Sequence, residues 1–414
     1  MHGGSLKFVF IILFILLLID LYAFRGLRFF TSGWSTTAKI IVNISYWLIP
    51  VFIVLMTIII IQKMPELSSG KLYYRTFYTF MGVMVLFYVP KLIFSVFELG
   101  NDLSNMVVFI VNKIKPGDSF ANLQVFRYSG AVLAGLVFFF TFFGIVHGRY
   151  HYKVNKLLVE SSRIPKAFEG FRIVQISDWH IGSFYGKPHR VQEAVDRINA
   201  LKPDLILFTG DLVNNVAGEA EEFIEQLSQL HAPYGIYSIL GNHDYGDYVR
   251  WPSPEAAEKN LEELKEIHKK INFKLLNNTS VFLEKEKERI NLIGIENWGL
   301  PPFPQYGNLA EAMQGIDTNA YKILLSHDPS HWDAEVINQT DIDLTLAGHT
   351  HGMQFGIDLG GWKWSMVKFK YPRWSGMYKH KEQLLYVNVG IGYIGFPGRV
   401  GIRPEIAVIE LKNK

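Results

Sequence analysis

The feature that most constrains this chain is a run of 23 uncharged, mostly apolar residues from Ile40 to Gln62. At about 1.5 Å per residue, a helix of that length crosses the ~30 Å hydrocarbon core of a bilayer. Three more apolar stretches accompany it, and the predicted transmembrane helices cover about residues 6–24, 37–62, 76–97 and 128–147. The first stretch lacks a small-residue cleavage site, which favours an uncleaved anchor over a signal peptide. We therefore expect an all-α membrane domain over residues 1–150.

Two charged residues lie within these stretches, Asp20 in the first and Lys91 beside Pro90 in the third. Both are predicted to reach the membrane interface with their charged groups, as side chains near the ends of spans usually do. Residues 101–126 are predicted to form a loop, because the apolar piece from Met106 to Val111 is too short to cross. No span carries the row of polar residues that lines a transport pathway, which argues against a channel or transporter.

Composition limits the kinds of site that the rest of the chain can form. The chain has no cysteine, so any metal would be held by His, Asp, Glu or Asn. A net charge of +3 without a basic arm argues against nucleic acid as a partner. Short β-prone runs alternate with amphipathic helices after residue 150, which predicts an α/β domain over residues 151–414.

Five polar clusters each follow an apolar, β-prone run of this second domain. In chain order they are Ser177 to His180, Thr209 to Asp211, Gly241 to Asp244, Ser326 to Asp328 and Gly348 to His351. Predicted helices separate the first three, so parallel strands should bring the clusters to one rim of the sheet. One Asp or His at a strand end is usually structural, but so many titratable groups in one cleft would repel each other without a cation. The pattern predicts a two-metal centre.

The candidate metal ligands are the side chains of these clusters that would converge on the rim. Alternation would point Asp178 and His180 to one side, and likewise His349 and His351. The full set expected at the rim is Asp178, His180, Asp211, Asn242, His327, His349 and His351. Two divalent cations there would activate a water as hydroxide and neutralise phosphate oxygens, which predicts a phosphoric ester hydrolase. Such ligands suit manganese, iron, zinc or cobalt alike.

The series Asp-x-His, Gly-Asp, Gly-Asn-His-Asp, His and Gly-His-x-His resembles the calcineurin-like metallophosphoesterases, over about Phe171 to Ile409. The resemblance implies a four-layer sandwich of helices around two mixed β-sheets. It implies that Asp211 bridges the two metals, and that His243, oriented by Asp244, is the acid that is not a ligand. The other implied ligands are Asp178, His180 and His351 for one metal, and Asn242, His327 and His349 for the other.

Two C-terminal stretches, Val389 to Gly392 and Arg399 to Glu405, resemble the bacterial membrane-anchored branch of that family. This branch includes phosphodiesterases and UDP-2,3-diacylglucosamine pyrophosphatases, which implies hydrolysis of a phosphodiester or pyrophosphate bond in a lipid or lipid-linked substrate. Two alternatives stay open. One is a phosphoprotein phosphatase or soluble-nucleotide phosphodiesterase that is merely anchored, and the other is a non-catalytic membrane receptor or scaffold.

The segment from Gly361 to Lys381 interleaves six aromatic residues with six lysines and arginines and contains no acidic residue. Aromatic rings and basic side chains both favour the headgroup region of an anionic bilayer, so the segment predicts a membrane-resident substrate. The alternative is a hairpin of the second sheet with its aromatic side chains packed inward.

The side of the membrane is predicted from basic residues near the spans. The side shared by the two termini holds seven of them and the other side six. By the positive-inside rule, this predicts a multi-pass protein of the cell (inner) membrane with its catalytic domain in the cytoplasm.

Overall fold

Four long apolar helices form the N-terminal part of the protein in a computed structural model that describes residues 3–63, 71–115 and 121–414. They are α1 (Gly3–Phe30), α2 (Thr36–Lys63), α3 (Lys71–Ile114) and α4 (Val125–Val146). All four are long and apolar enough to cross a membrane. The predicted number of spans is therefore confirmed.

Helix α3 is longer than predicted and continues through Pro90 to Ile114. The loop predicted over residues 101–126 is thus wrong as far as Ile114, and residues 116–120 of that prediction lie outside the described residues. The polar stretch stays helical because its acidic side chains find partners on neighbouring helices. Glu98 accepts a hydrogen bond from Arg127 Nε at 2.8 Å, and Asp102 accepts one from the Tyr22 hydroxyl at 2.6 Å.

Asp20 and Lys91 do not reach toward the interface as predicted. Lys91 Nζ lies 2.6 Å from Asp20 Oδ1, and the Asp20 side chain is only 1% exposed. The hydroxyl of Tyr88 also donates to the Asp20 carboxylate, at 2.7 Å. Since two opposite charges within reach of each other need not be hydrated separately, pairing replaces snorkelling.

The second unit, which includes residues 144–414, is the predicted α/β domain. Its α-helices are α5 (Pro188–Ala200), α6 (Ile224–Leu227), α7 (Pro254–Lys270) and α8 (Leu309–Ala312). Its strands are β1 (Lys153–Ser161), β2 (Arg172–Ile176), β3 (Leu205–Phe208), β4 (Ile236–Ser238), β5 (Phe273–Leu275), β6 (Thr279–Lys285), β7 (Glu288–Gly294), β8 (Tyr321–Leu325), β9 (Leu344–Ala347), β10 (Ile357–Leu359), β11 (Trp362–Trp364), β12 (Gly376–His380), β13 (Gln383–Val387) and β14 (Glu405–Asn413).

The strands form two mixed six-stranded sheets, in the orders β1-β14-β2-β3-β4-β5 and β12-β13-β9-β8-β7-β6. Residues alternate between the faces: Val174 and Ile176 of β2 pack toward the helices, whereas Ile173 packs between the two sheets. A further core, which includes Trp332 and Leu309, covers the outer face of the second sheet. The expected four layers are present.

The polar clusters follow β2, β3 and β4 of the first sheet and β8 and β9 of the second. They therefore lie at the carboxyl ends of two sheets rather than along one rim of a single sheet. The helix predicted between the second and third polar clusters is reduced to short 3-10 turns and the single turn of α6. There the Glu219 carboxylate accepts N–H groups from the preceding loop, at 2.6 Å from Asn214 and 2.9 Å from Asn215.

Candidate metal centre

Four buried side chains converge at the carboxyl ends of the sheets: Asp178, His180, Asp211 and His351. Their potential ligand atoms all lie within 4.8 Å of one another. His351 Nε2 is 2.9 Å from His180 Nε2 and 3.2 Å from Asp178 Oδ1. These are the residues that the resemblance implies for the first metal, together with the bridging carboxylate.

The other three predicted ligands lie beside this group. His349 Nδ1 is 2.9 Å from Asn242 Oδ1, and the rings of His349 and His327 meet edge to face with centroids 5.2 Å apart. His327 Nε2 in turn lies 3.2 Å from Asp211 Oδ2. All seven predicted side chains are therefore brought together.

The backbone at these positions is not extended, so the predicted alternation does not explain the site. Asp178, His180, Asp211, His349 and His351 have φ angles of 50°, 47°, 60°, 72° and 50°, in the left-handed region. This conformation costs a residue other than glycine on the order of 1–2 kcal/mol, and it persists only where the surroundings impose it. One such restraint is the Asp178 carboxylate, which accepts the backbone N–H of His349 at 3.0 Å and so ties the two sheets together.

Two histidines are held in the orientation that a metal ligand needs. His180 Nδ1 donates to the Val213 carbonyl at 3.2 Å, and His327 Nδ1 donates to the Thr209 carbonyl at 2.7 Å. Because a carbonyl can only accept, the proton of each neutral ring resides on Nδ1 and the lone pair on Nε2. Both Nε2 atoms approach Asp211, so the donor set fits a divalent cation.

The charges of the buried side chains are also consistent with a divalent cation at this centre. Burial alone would lower the pKa of His327, but the Asp211 carboxylate raises it to about 10. Burial alone would raise the pKa of Asp211, but His327 and His243 hold it well below its usual range. A proton on His327 thus compensates a buried carboxylate, and a bound cation would take over that role and release the proton.

His243 is oriented by a carbonyl rather than by a carboxylate. Its Nδ1 donates to the carbonyl of Asn214 at 2.6 Å, and its ring stands perpendicular to that of His180 with centroids 4.9 Å apart. Burial lowers the pKa of His243. The ring is therefore held beside the candidate ligand His180, and the hydrogen bond to Asn214 involves Nδ1 and not Nε2.

Asp244 does not have the role that the resemblance implies. Its carboxylate accepts four backbone N–H groups, at 2.8 Å from Asp211, 2.9 Å from Leu212, 3.2 Å from Val213 and 2.9 Å from Gly241. Desolvation, together with the Asp211 charge, raises its pKa to about 7 despite these donors. Asp244 thus holds the loop that carries Asp211, and the prediction that it orients His243 is wrong because its oxygens are already taken by the backbone.

Comparison with known proteins decides the family. Residues 171–353 match the model of the calcineurin-like phosphoesterases, and residues 6–149 match the transmembrane domain described as "Probable Calcineurin-like phosphoesterase, transmembrane domain". The metallophosphoesterase YkuE of Bacillus subtilis is 32% identical over 262 residues, which cover 62% of this chain and 84% of that protein. The chain belongs to the calcineurin-like metallophosphoesterases.

Two further proteins are also similar to this chain. A zebrafish (Danio rerio) transmembrane protein with a metallophosphoesterase domain is 30% identical over 278 residues, covering 66% of this chain and 60% of that protein. This chain thus spans less than two thirds of the zebrafish protein. The metallophosphoesterase Cj0846 of Campylobacter jejuni is 26% identical over 338 residues, covering 81% and 83% of the two chains.

Two further residues of this metallophosphoesterase position ligand histidines, and neither was predicted as a site residue. The hydroxyl of Tyr371 shares a hydrogen bond of 2.8 Å with His349 Nε2, which leaves Nδ1 facing Asn242. The buried guanidinium of Arg399 lies 3.3 Å from His351 Nδ1 and donates to the carbonyl of Gly392 at 2.9 Å. Arg399 lies in a stretch that resembles the membrane-anchored branch, whereas Tyr371 is 20 residues beyond the last metal motif and has no local signal.

The aromatic and basic segment of this metallophosphoesterase is divided between two environments. Tyr371 and Trp374 are buried, as expected for an inward-packed hairpin. Trp362 and Phe369 are 59% and 77% exposed. The segment therefore borders the metal centre on one side and presents aromatic rings outward on the other.

Proposed function

We propose that the protein is a membrane-bound phosphoesterase that uses two divalent metal ions to hydrolyse a phosphodiester or pyrophosphate bond in a lipid or lipid-linked substrate. The observation that carries the two-metal part is the position of Asp211. Its Oδ2 atom is 3.5 Å from His180 Nε2 and 3.2 Å from His327 Nε2. One carboxylate oxygen thus borders both groups of ligands, as a bridging ligand must.

In this proposal the ligands form two groups that share Asp211. Asp178, His180 and His351 would hold one ion, Asn242, His327 and His349 the other, and Asp211 both. When bound, the ions would supply Lewis acidity, which lowers the pKa of water and neutralises the charge of phosphate oxygens.

His243 would donate a proton to the leaving oxygen of the substrate. His243 Nδ1 donates to the Asn214 carbonyl oxygen, 2.6 Å away, so Nε2 is the ring nitrogen that faces the substrate in this proposal. Burial lowers the pKa of the free ring. A phosphate anion beside the ring would raise this pKa, because a nearby negative charge favours the imidazolium form. A general acid in this position typically contributes ~10²–10⁴ in rate.

The lipid or lipid-linked nature of the substrate is supported by the surroundings of the centre. Four apolar helices keep the enzyme at a membrane. Tyr371, within the aromatic and basic segment, bonds to His349, so this segment borders the site that the substrate must enter. For the orientation we propose the cell (inner) membrane with the catalytic unit in the cytoplasm, on the count of basic residues. A C-terminal reporter active only outside the cytoplasm would contradict that orientation.

The proposed chemistry is tested by metal analysis and turnover of the purified full-length protein. We expect two ions per chain and faster turnover of an aryl phosphodiester than of the matching monoester. The same assays on a lipid pyrophosphate and a lipid phosphodiester in vesicles would identify the bond. One ion per chain, or turnover confined to the monoester, would contradict the proposal.

A further inference from the structure

Six large apolar side chains stand on the surface of the catalytic unit directly after the last metal-site motif. They are Met353, Ile357, Leu359, Trp362, Met366 and Phe369, and we call them the apolar rim. Their exposed fractions run from 41% for Ile357 to 77% for Phe369. Several large exposed apolar side chains in one short segment indicate an interaction site.

The elements that carry the apolar rim adjoin each other. Leu359 and Trp362 are paired residues of the β10–β11 hairpin. The short helices that carry Met353 and Phe369 contact each other, and the Ser365 hydroxyl joins them by donating to the Gly352 carbonyl at 2.8 Å. The six side chains therefore lie on adjoining elements of the unit.

The exposure of the apolar rim does not come from an unfinished core. The same segment has a small core of its own, formed by Tyr371, Trp374, Val389 and Ile402. Its inward positions are thus filled, and the outward apolar positions remain exposed after the segment has folded. Something other than the rest of this unit must cover them if they are to leave water.

The position of the apolar rim within the unit indicates what covers it. Residues 144–149, where the chain leaves α4, belong to the same unit. The Gly144 carbonyl accepts the Arg399 N–H at 3.1 Å, and the Arg149 guanidinium donates to the Pro397 carbonyl at 3.0 Å. The next residue, Val400, donates to the Gln354 carbonyl at 2.8 Å.

Residues 397–400 thus lie between the end of α4 and the residues that lead into the β10–β11 hairpin. Gly356, just before β10, closes this connection by donating to the Val400 carbonyl at 2.9 Å. The ring of Phe355 also stacks near that of Phe396, with centroids 4.7 Å apart. The apolar rim therefore begins close to the point where the chain leaves the bilayer.

The charges around the apolar rim fit an anionic surface. Lys363, Lys368 and Lys370 lie within the same segment, which has no acidic residue from Gly360 to Lys381. The single acidic side chain of the hairpin, Asp358, is paired with Lys153 at 2.7 Å. Basic side chains beside exposed rings favour the headgroup region of anionic lipids.

We infer that the apolar rim inserts into the headgroup region of an anionic bilayer, so that the metal centre faces the membrane surface. Met353 is two residues from His351, and Phe369 is two residues from Tyr371, which bonds to His349. A substrate would then enter from the lipid phase at the edge of the site. The insertion itself is independent of catalysis, whereas the entry route rests on the proposed function.

The chain has no cysteine, so single cysteines can carry a fluorescent probe without further changes. We would label Leu359→Cys and Phe369→Cys in the full-length protein, reconstituted in vesicles of phosphatidylethanolamine and phosphatidylglycerol. Phe282→Cys is the matched control, because Phe282 is 44% exposed on β6 of the same unit. We expect nitroxide lipids labelled near the headgroup to quench the first two probes strongly, and aqueous iodide to quench the control.

Two results would overturn the insertion. In one, the probes at positions 359 and 369 respond to iodide as the control does. In the other, they are shielded from both iodide and nitroxide lipids, which would mean that a second copy or another protein covers the apolar rim.

The entry route is tested with the triple variant Leu359→Ser, Trp362→Ser and Phe369→Ser in the same vesicles. We expect its turnover of a lipid diester, relative to a soluble aryl diester, to fall about tenfold or more, since burying one such side chain typically contributes that factor. Phe282→Ser should leave the ratio unchanged. An unchanged ratio in the triple variant would refute the entry route. If even the parent, loaded with metal, cleaves neither diester, the proposed function fails while the probe result still decides the insertion.

Discussion

Replacing Asp244 by Asn removes one charged oxygen with almost no change in shape, and the structure predicts the cost. Oδ1 accepts the backbone N–H groups of Leu212 and Val213, and Oδ2 accepts those of Asp211 and Gly241. An amide has one oxygen, so its NH2 group must face one of these two pairs of donors. Two buried N–H groups therefore lose their acceptor whichever way the amide is turned.

Each buried donor left without an acceptor costs about 1–3 kcal/mol, so we expect the free energy of unfolding of the catalytic unit to fall by about 2–6 kcal/mol. The loop released in this way carries Asp211, and bound metal should be lost with it. Because the pKa of Asp244 is raised to about 7, the comparison is best made near pH 8.5, where the carboxyl group is ionised.

The assay is urea unfolding of the full-length protein in mild detergent, together with metal content and turnover. Asp247→Asn is the matched control, since it makes the same chemical change three residues further on, at an exposed side chain. Its effect should stay within about 0.5 kcal/mol. If Asp244→Asn keeps its metal and its unfolding midpoint and loses only turnover, Asp244 acts on His243 after all, and the reasoning from its four N–H donors is refuted.

Three further predictions concern other residues. Asp211→Asn should lose both metals and activity, whereas His243→Ala should keep its metals and lose ~10²-fold or more in turnover; metal analysis showing equal losses would contradict these roles. Tyr371→Phe removes the 2.8 Å hydrogen bond to His349, so metal titration should show roughly 10–100-fold weaker affinity at an unchanged melting temperature. Burial lowers the pKa of His268 from 6.5 to about 4, so its neutral ring stabilises the fold above pH 6.5 and this contribution is lost by about 1.4 kcal/mol per pH unit as the pH falls toward 4. Between pH 6.5 and pH 4, the melting temperature of His268→Leu should therefore fall by less than that of the parent protein. If the two melting temperatures fall equally, His268 is not the cause of the acid destabilisation.

Much of the architecture was predictable because it depends on patterns within a few residues of each other. The apolar length of Ile40 to Gln62 is sufficient for a span in any fold, and four helices of this kind are present. The β-prone runs predicted to alternate with helices after residue 150 correspond to strands such as β2, β3 and β4. The seven candidate ligands were identified in the same way, since each polar cluster directly follows a buried strand.

The partners of charged and polar side chains could not be predicted, because they are set by residues far apart in the chain. Asp20 and Lys91 are 71 residues apart, and only the packing of α1 against α3 makes pairing available to them. Tyr371 shows the same dependence: its sequence context predicts a ring at the membrane surface, whereas the fold places its hydroxyl on a histidine of the centre.

The local sequence thus determined which residues can form the site, and the tertiary structure decided what each of them does. Asp244 follows His243 directly, which makes it the obvious partner of that ring. In the fold, however, the Asp244 carboxylate accepts three backbone N–H groups from the turn after β3 and a fourth from Gly241, and the carbonyl of Asn214, 29 residues from His243, accepts the hydrogen bond from the ring instead. Neighbours in sequence set the chemistry available at a position, but buried donors and acceptors must all be satisfied at once, and that condition is met only by the complete fold.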